Sequence, residues 1–257
     1  ATVLLDSLGR KAYSEEMQNL IIVYPEDIEA KIFLIRFLMR GYYPGHPRAG
    51  EPDPLALIKP LLKSHPNHLG VHHYYIHIEE RGDDPAAAYE SAERVAGLAP
   101  ANAHIVHMPG HVRYLTGDYA GARSSFVEAF AVDSTYMNDS GTPAYNNWNY
   151  VHNLSYLVAN CAEDGRYMEG LRWARKLEQV ALTTRRTIIY YQGRMARVRL
   201  HIRHGEWNLA AVAAAELAAN DTLSGNFGGL FAKGMLAYAR GRQAIAAGAA
   251  TEAERQR

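Results

Sequence analysis

The chain has 257 residues, 48% of them hydrophobic, and its 27 basic side chains balance 27 acidic ones, so the formal net charge is zero. That balance, with no run of lysine and arginine interleaved with aromatic residues, argues against a nucleic-acid-binding protein. No stretch of about 18 apolar residues predicts a membrane span, and the single cysteine, Cys161, excludes an internal disulfide and a cysteine-based zinc site.

Helical periodicity, interrupted by glycine and proline, predicts an all-α chain without strands of consequence. The predicted helices are 11–22, 27–40, 52–64, 68–81, 85–98, 102–116, 119–132, 145–163, 167–182, 187–204, 207–219 and 226–247. Segments near 41–51 and 134–144 are predicted to be insertions relative to a helical repeat; the first is rich in helix breakers, and the second has glycine and proline at its end.

Glycine and proline recur at similar positions along the chain. Pro66 and Pro100 each open a helical stretch and are 34 residues apart. Turns of the form glycine–X–aromatic begin at Gly117, Gly165 and Gly205, and each is followed by a small residue in the next helix. These features resemble the tetratricopeptide (TPR) family over nearly the whole chain. The resemblance implies one domain, 1–257, a right-handed helical solenoid of about six helix pairs with a concave groove that binds ligands.

The histidines follow the same period. His73 and His77 are four residues apart, as are His107 and His111, and the two pairs are offset by 34 residues. Each pair therefore lies on one helix face, at equivalent positions of consecutive repeats. Counting with the family consensus puts six histidines on the concave surface: His73, His77, His104, His107, His111 and His152. For the second repeat, counting from Pro66 selects His73 and His77. Counting from Gly82 would select His72 and Ile76 instead.

A pair of histidines one helical turn apart is a familiar bidentate metal arrangement, and neutral imidazoles suit Zn, Cu, Ni or Fe. The predicted site is therefore a transition-metal site formed by these six histidines. Candidate partners for the imidazole rings are Glu79, Glu80, Asp133 and Asn153. Two alternatives stay open: an imidazole and aromatic groove for a peptide or small ligand, and histidines that only satisfy structural hydrogen bonds. The set lacks an obvious carboxylate, and Pro109 interrupts the helix between His107 and His111.

A narrower resemblance rests on three motifs. They are His-Tyr-Tyr-Ile-His at 73–77, His-Met-Pro-Gly-His at 107–111 and His-Asn at 152–153. A largely uncharacterised group of bacterial TPR proteins carries similar motifs in the same order. Gly110 replaces the usual serine of that group, and Leu69 replaces a usual proline. The resemblance implies that the histidines act as one unit, but it names no reaction.

Three functions compete. The first is a binding module whose groove holds a metal or a small ligand or peptide. The second is a structural protein that assembles end to end into oligomers or filaments. The third is a metal-dependent enzyme, with Glu79, Glu80, Asp133 or Tyr145 as acid or base. No signal peptide is visible, and the compartment, export included, stays open.

The assembly hypothesis depends on apolar residues near both ends of the chain. A solenoid exposes the hydrophobic side of its terminal helices unless polar residues cover it. The apolar residues concerned are Val3, Leu4, Leu5 and Leu8 near the start, and Leu236, Tyr238 and Ile245 in the last predicted helix. They predict self-association through unlike ends.

Overall fold

The structure, a computed structural model, describes residues 2–182, 187–219 and 227–255. Helices account for 78% of the chain, which confirms the all-α prediction. Within those ranges the one β-type pairing is an isolated bridge between Tyr43 and His46, in the loop predicted near 41–51.

The chain divides into two compact units, Ala1–Asp118 and Tyr119–Arg257. The helices of the first unit are α1 (Thr2–Val23), α2 (Ile28–Leu38), α3 (Pro54–Ser64), α4 (Leu69–Glu79), α5 (Tyr89–Leu98), α6 (Ala103–Val106) and α7 (Met108–Leu115). A short 3-10 helix, Pro85–Ala88, precedes α5.

The second unit begins with a long helix. Its helices are α8 (Tyr119–Ser140), α9 (Trp148–Glu163), α10 (Tyr167–Leu182), α11 (Thr187–Arg203), α12 (Trp207–Ala218), α13 (Phe227–Ala246) and α14 (Ala250–Arg255). A 3-10 helix, Ala144–Asn146, precedes α9.

Local sequence explains where several helices start and stop. The Asp27 carboxylate accepts a hydrogen bond from the backbone N–H of Ala30, an N-cap that satisfies one of the free donors at the start of α2. The three repeated turns have glycine at positive φ: 86° at Gly117, 70° at Gly165 and 73° at Gly205. These left-handed positions favour glycine because it has no Cβ, so the recurring glycines mark turns between helices.

Two predicted elements differ in the structure. The predicted helix 102–116 is two helices, α6 and α7, that meet at His107, because Pro109 has no N–H with which to continue the backbone ladder. The predicted helix 119–132 is longer in the structure, where α8 continues to Ser140 through most of the predicted insertion 134–144. No glycine or proline lies between Ala122 and Ser140, and the Ser134 hydroxyl donates to the Phe130 carbonyl at 2.7 Å within the continuing helix.

Each unit has a core formed by consecutive helices. In the first unit, α4 packs on the next helix, α5, and also on α7. Ile76, Met108 and Val112 are fully buried in this core. The second unit repeats the pattern, since α9 packs on both α10 and α11. Six helix pairs in one continuous solenoid remain a prediction.

The ends of the chain are described only in part. The predicted apolar group Val3, Leu4, Leu5 and Leu8 lies outside the residues whose side chains are described. In α13, Tyr238 and Ile245 are exposed, but Leu236 is half-buried against the core of the second unit and does not belong to an exposed face. Self-association stays a prediction. None of the helices in the described ranges combines the length and apolarity needed to cross a membrane.

Replacement of Ile76 by alanine tests this packing. The side chain is fully buried, so Ile76→Ala should lower the free energy of unfolding by roughly 2–5 kcal/mol through lost burial and the cavity that remains. Ile22→Ala, at a side chain that is 77% exposed, should change it by less than about 0.5 kcal/mol. Urea unfolding followed by circular dichroism gives both values. Equal losses in the two variants would contradict the described core.

Candidate metal centre

Five of the six predicted histidines come together in the first unit. The helix α4 supplies one pair of rings, and the segment from α6 to α7 supplies the other three. The five residues are His73, His77, His104, His107 and His111. Since α4 and α7 pack on each other, the 34-residue period places equivalent helical positions side by side.

The first group within this cluster comprises His73, His77 and His104. One nitrogen of each ring lies within 4.8 Å of one nitrogen of the other two. The Nε2 atoms of His73 and His104 are 2.8 Å apart, so one ring donates a hydrogen bond to the other. The Nδ1 atom of His104 is buried and has no hydrogen-bond partner. This group could hold a transition-metal ion, for which imidazole nitrogen is a preferred ligand.

Glu80 supplies a carboxylate next to the histidines, where the sequence showed none within the histidine set itself. It caps the C-terminus of α4, where its Oε1 atom accepts a hydrogen bond from Nδ1 of His77 at 2.8 Å. Its Oε2 atom lies 2.7 Å from Nδ1 of His111. A carboxylate accepts and does not donate, so both rings carry their proton on Nδ1. In the neutral rings, Nε2 is then the nitrogen with a free electron pair.

The second group is the pair His107 and His111. Their Nε2 atoms are 3.2 Å apart, and their side chains are nearly fully buried. The His107 ring also contacts that of His104, with centroids 5.0 Å apart, and the His111 ring contacts that of His77 at 5.8 Å. The helix break at His107 therefore leaves the rings contiguous, despite the interruption that Pro109 causes.

Burial and mutual repulsion keep part of the cluster uncharged. Burial, together with the neighbouring His77 and His104, lowers the pKa of His73 to about 3. Burial and the neighbouring His77 and His111 lower the pKa of His104 to about 4. For Glu80, burial raises the pKa, but the hydrogen bonds from His111 and His77 outweigh it and hold the pKa well below its usual range. At neutral pH the cluster thus combines the Glu80 carboxylate with uncharged imidazoles at His73 and His104.

The alternative repeat count, from Gly82, would have selected His72 and Ile76. Ile76 is in the core, and His72 is turned away from the cluster, toward α5. Its Nε2–H donates to the Pro66 carbonyl at 2.8 Å, so Nδ1 accepts from the Ser91 hydroxyl at 2.9 Å. His72 is a satisfied core histidine, and the face selected by the Pro66 count is the one that meets α6 and α7.

The remaining predicted site residues have other surroundings. His152 lies on α9 in the second unit, where its ring contacts Trp148 and Tyr156. That it joins the other five stays a prediction from the repeat counting. The buried Glu79 carboxylate interacts with Tyr75, which contributes to the raised pKa of that tyrosine. Of the four predicted ring partners, Glu80 is the one that the structure places on histidines of the first unit.

The other predicted partners belong to the second unit. Asp133 accepts a hydrogen bond from the Asn147 side chain at 2.8 Å, and burial raises the pKa of this carboxyl. Asn153 donates to the Phe126 carbonyl at 2.6 Å, which ties α9 to α8. Tyr145 lies in the 3-10 helix before α9.

No protein-family model matches the chain, and no curated protein matches it. The likeness to the tetratricopeptide family therefore depends on the repeat spacing and the turn glycines, and membership stays a prediction.

The second unit has a separate cavity of about 330 Å³ between α9, α11 and α13. Gln192 and Arg199, both on α11, line this cavity, whereas Met195 is buried in the core of the unit. Arg194 and Arg197, on the same helix, pair with the Glu178 carboxylate, at 3.1 and 3.3 Å.

The lowered pKa values of His73 and His104 predict a pH dependence of stability in the metal-free protein. Both rings stay neutral in the folded state down to about pH 4, whereas in the unfolded chain they take up protons near pH 6.5. The unfolded state then binds more protons between about pH 4 and about pH 6.5, so the free energy of unfolding should fall as pH is lowered through that window. Urea unfolding at about pH 7.5 and about pH 5 measures this fall.

The double variant His73→Asn/His104→Asn is the control, because asparagine does not titrate. Its loss of stability between the two pH values should be smaller than that of the unchanged protein. If the variant lost as much, the titration of these two rings would not explain the effect.

Proposed function

We propose that the first unit is a metal-binding module and that His73, His77 and His104 bind one transition-metal ion. The observation that supports this most strongly is the approach of three imidazole nitrogens within 4.8 Å, next to a carboxylate that orients one of the rings. Histidines that only complete structural hydrogen bonds need no such convergence from two helices.

The proposal assigns a specific role to Glu80. Metal-binding histidines commonly donate their second ring N–H to a carboxylate, which fixes the tautomer and makes the ligating nitrogen more basic. Glu80 accepts from Nδ1 of His77 in this way, which leaves Nε2 of the same ring for the ion. The carboxylate also offsets part of the ion's charge in a largely buried setting.

An ion would replace the contact between His73 and His104. Two nitrogens bound to one tetrahedral ion at about 2.0–2.1 Å stand roughly 3.3 Å apart. The two Nε2 atoms are 2.8 Å apart in the hydrogen-bonded pair. A small rotation of both rings, with the Nε2 proton of the donor ring released or moved to its Nδ1 atom, would therefore exchange one hydrogen bond for two metal–nitrogen bonds without refolding of the chain.

The ligand chemistry narrows the choice of ion. Neutral imidazoles suit Zn, Cu, Ni and Fe, whereas Mg and Ca prefer oxygen ligands. Since the triad offers three imidazole nitrogens as ligands, we expect Zn(II) and Cu(II) to bind and Mg(II) not to compete.

Substitution of Glu80 tests the proposal. In Glu80→Gln the side-chain NH₂ opposes a ring N–H, so one of the two rings loses its partner or changes tautomer. Zn(II) affinity, measured by isothermal titration calorimetry, should fall about 10–100-fold. Glu79→Gln is the matched control, because Glu79 is the adjacent buried glutamate but interacts with Tyr75, and its affinity should be unchanged.

Substitution of a ligand tests it independently. His77→Ala should abolish stoichiometric Zn(II) binding by the triad with helix content preserved, whereas His46→Ala, at an exposed loop histidine, should bind as the unchanged protein does. His152→Ala tests the sequence prediction for that residue. Failure of the metal-free protein to take up Zn(II), Cu(II) or Ni(II) at all would rule out the proposed function.

A further inference from the structure

The five clustered imidazoles exceed what one tetrahedral ion accepts. Three of them form the group within 4.8 Å, and His107 and His111 are not part of that group. A tetrahedral ion has four positions, and a catalytic or exchangeable site keeps at least one of them for solvent or substrate. The pair His107 and His111 therefore needs its own explanation.

We propose that His107 and His111 bind a second metal ion beside the first, so that the cluster is a two-metal centre oriented by one shared carboxylate. This inference extends the proposed function, and it rests on that function for the existence of the first ion. Three independent observations support the second ion: the distance between the two rings of the pair, their contacts with rings of the triad, and the position of Glu80.

The distance within the pair fits a shared ion. The Nε2 atoms of His107 and His111 are 3.2 Å apart. This is close to the roughly 3.3 Å that separates two nitrogens bound to one tetrahedral ion at about 2.0–2.1 Å. The two residues are also four apart along the chain, which is the spacing of a bidentate histidine pair on a helix. The pair thus has the geometry of a metal chelate.

The two groups are adjacent. The ring of His104 contacts that of His107, with centroids 5.0 Å apart, and the ring of His77 contacts that of His111 at 5.8 Å. Each ring of the pair therefore abuts a ring of the triad. Two ions held by neighbouring rings would lie within several ångströms of each other, as in two-metal sites, where the separation is about 3.5–4 Å.

Glu80 joins the two groups. Its Oε1 atom contacts Nδ1 of His77, which belongs to the triad, and its Oε2 atom contacts Nδ1 of His111, which belongs to the pair. Each carboxylate oxygen holds a proton on Nδ1 of one ring, and the Nε2 atom of that ring is then the nitrogen that can bind the ion of its group. This shared carboxylate also supplies negative charge close to two cations that would otherwise repel each other.

The two ions should differ in affinity. The triad and the pair offer different ligand sets, so one ion should bind more weakly and leave first when free metal is removed. Titration of the metal-free protein with Cu(II) should therefore show two steps. Cu(II) is the probe because it binds nitrogen sites most tightly among the divalent ions of this series and is detected by electron paramagnetic resonance.

The decisive experiment combines elemental analysis after gel filtration with electron paramagnetic resonance of the Cu(II)-loaded protein. The unchanged protein and His46→Ala should retain two copper ions per chain and show a spectrum broadened by coupling between them. His107→Ala should retain one ion with an uncoupled spectrum. Because His107 is buried, His111→Gln serves as a second variant that keeps a polar side chain of similar size, and circular dichroism checks that both fold.

The outcomes separate this inference from the proposed function. One copper per chain in the unchanged protein, retained in His107→Ala and lost in His77→Ala, would overturn the second ion and leave the triad site standing. Two ions without magnetic coupling would overturn the shared centre. No copper in any protein would overturn both proposals.

Discussion

The cluster depends on one interaction, the contact of the Glu80 carboxylate with two imidazoles from different helices. His77 lies one turn before Glu80 on α4, and His111 reaches the other oxygen from α7. The carboxylate holds the protons of both rings on Nδ1, so that Nε2 is the acceptor nitrogen of each neutral ring. Without it, two buried and three half-buried imidazoles would have no negative charge beside them, and their tautomers would be free to exchange.

That contact is possible because of the packing underneath it. The cores of α4 and α7 meet through Ile76, Met108 and Val112, which hold the two helices in register. The histidines project from the same helices on a different face, so the apolar seam determines which rings can touch. Burying this many polar groups opposes folding unless each finds a partner. The imidazole pairs and Glu80 provide those partners in the metal-free protein, and an ion would replace them in the loaded one.

Helical periodicity and breakers were sufficient to predict the all-α class and the positions of the helices, and the 34-residue offset was sufficient to predict which histidines of the first unit converge. Helical periodicity, turn glycines and the 34-residue offset are local signals, and the structure has a helix at each predicted position. The sequence named Glu80 only as one of four candidate partners. Its role depends on how α4 and α7 pack and on its side-chain rotamer, and residue spacing predicts neither. The split at His107 follows from Pro109, and α8 continues because no breaker ends it. Both change helix ends by a few residues, which hydrophobic periodicity does not resolve. His152 lies in the second unit, and its place in the site stays a prediction from the repeat counting.

The most direct test of this account is a determination of the histidine tautomers in solution. Two-bond nitrogen-15 to proton correlation spectra of the metal-free protein, labelled at histidine, distinguish a protonated Nδ1 from a protonated Nε2. The account predicts that His77 and His111 are both protonated on Nδ1 and that their Nε2 signals shift when Zn(II) is added. Protonation of both rings on Nε2, with no shift on Zn(II) addition, would contradict the orienting role of Glu80 and the metal centre built on it.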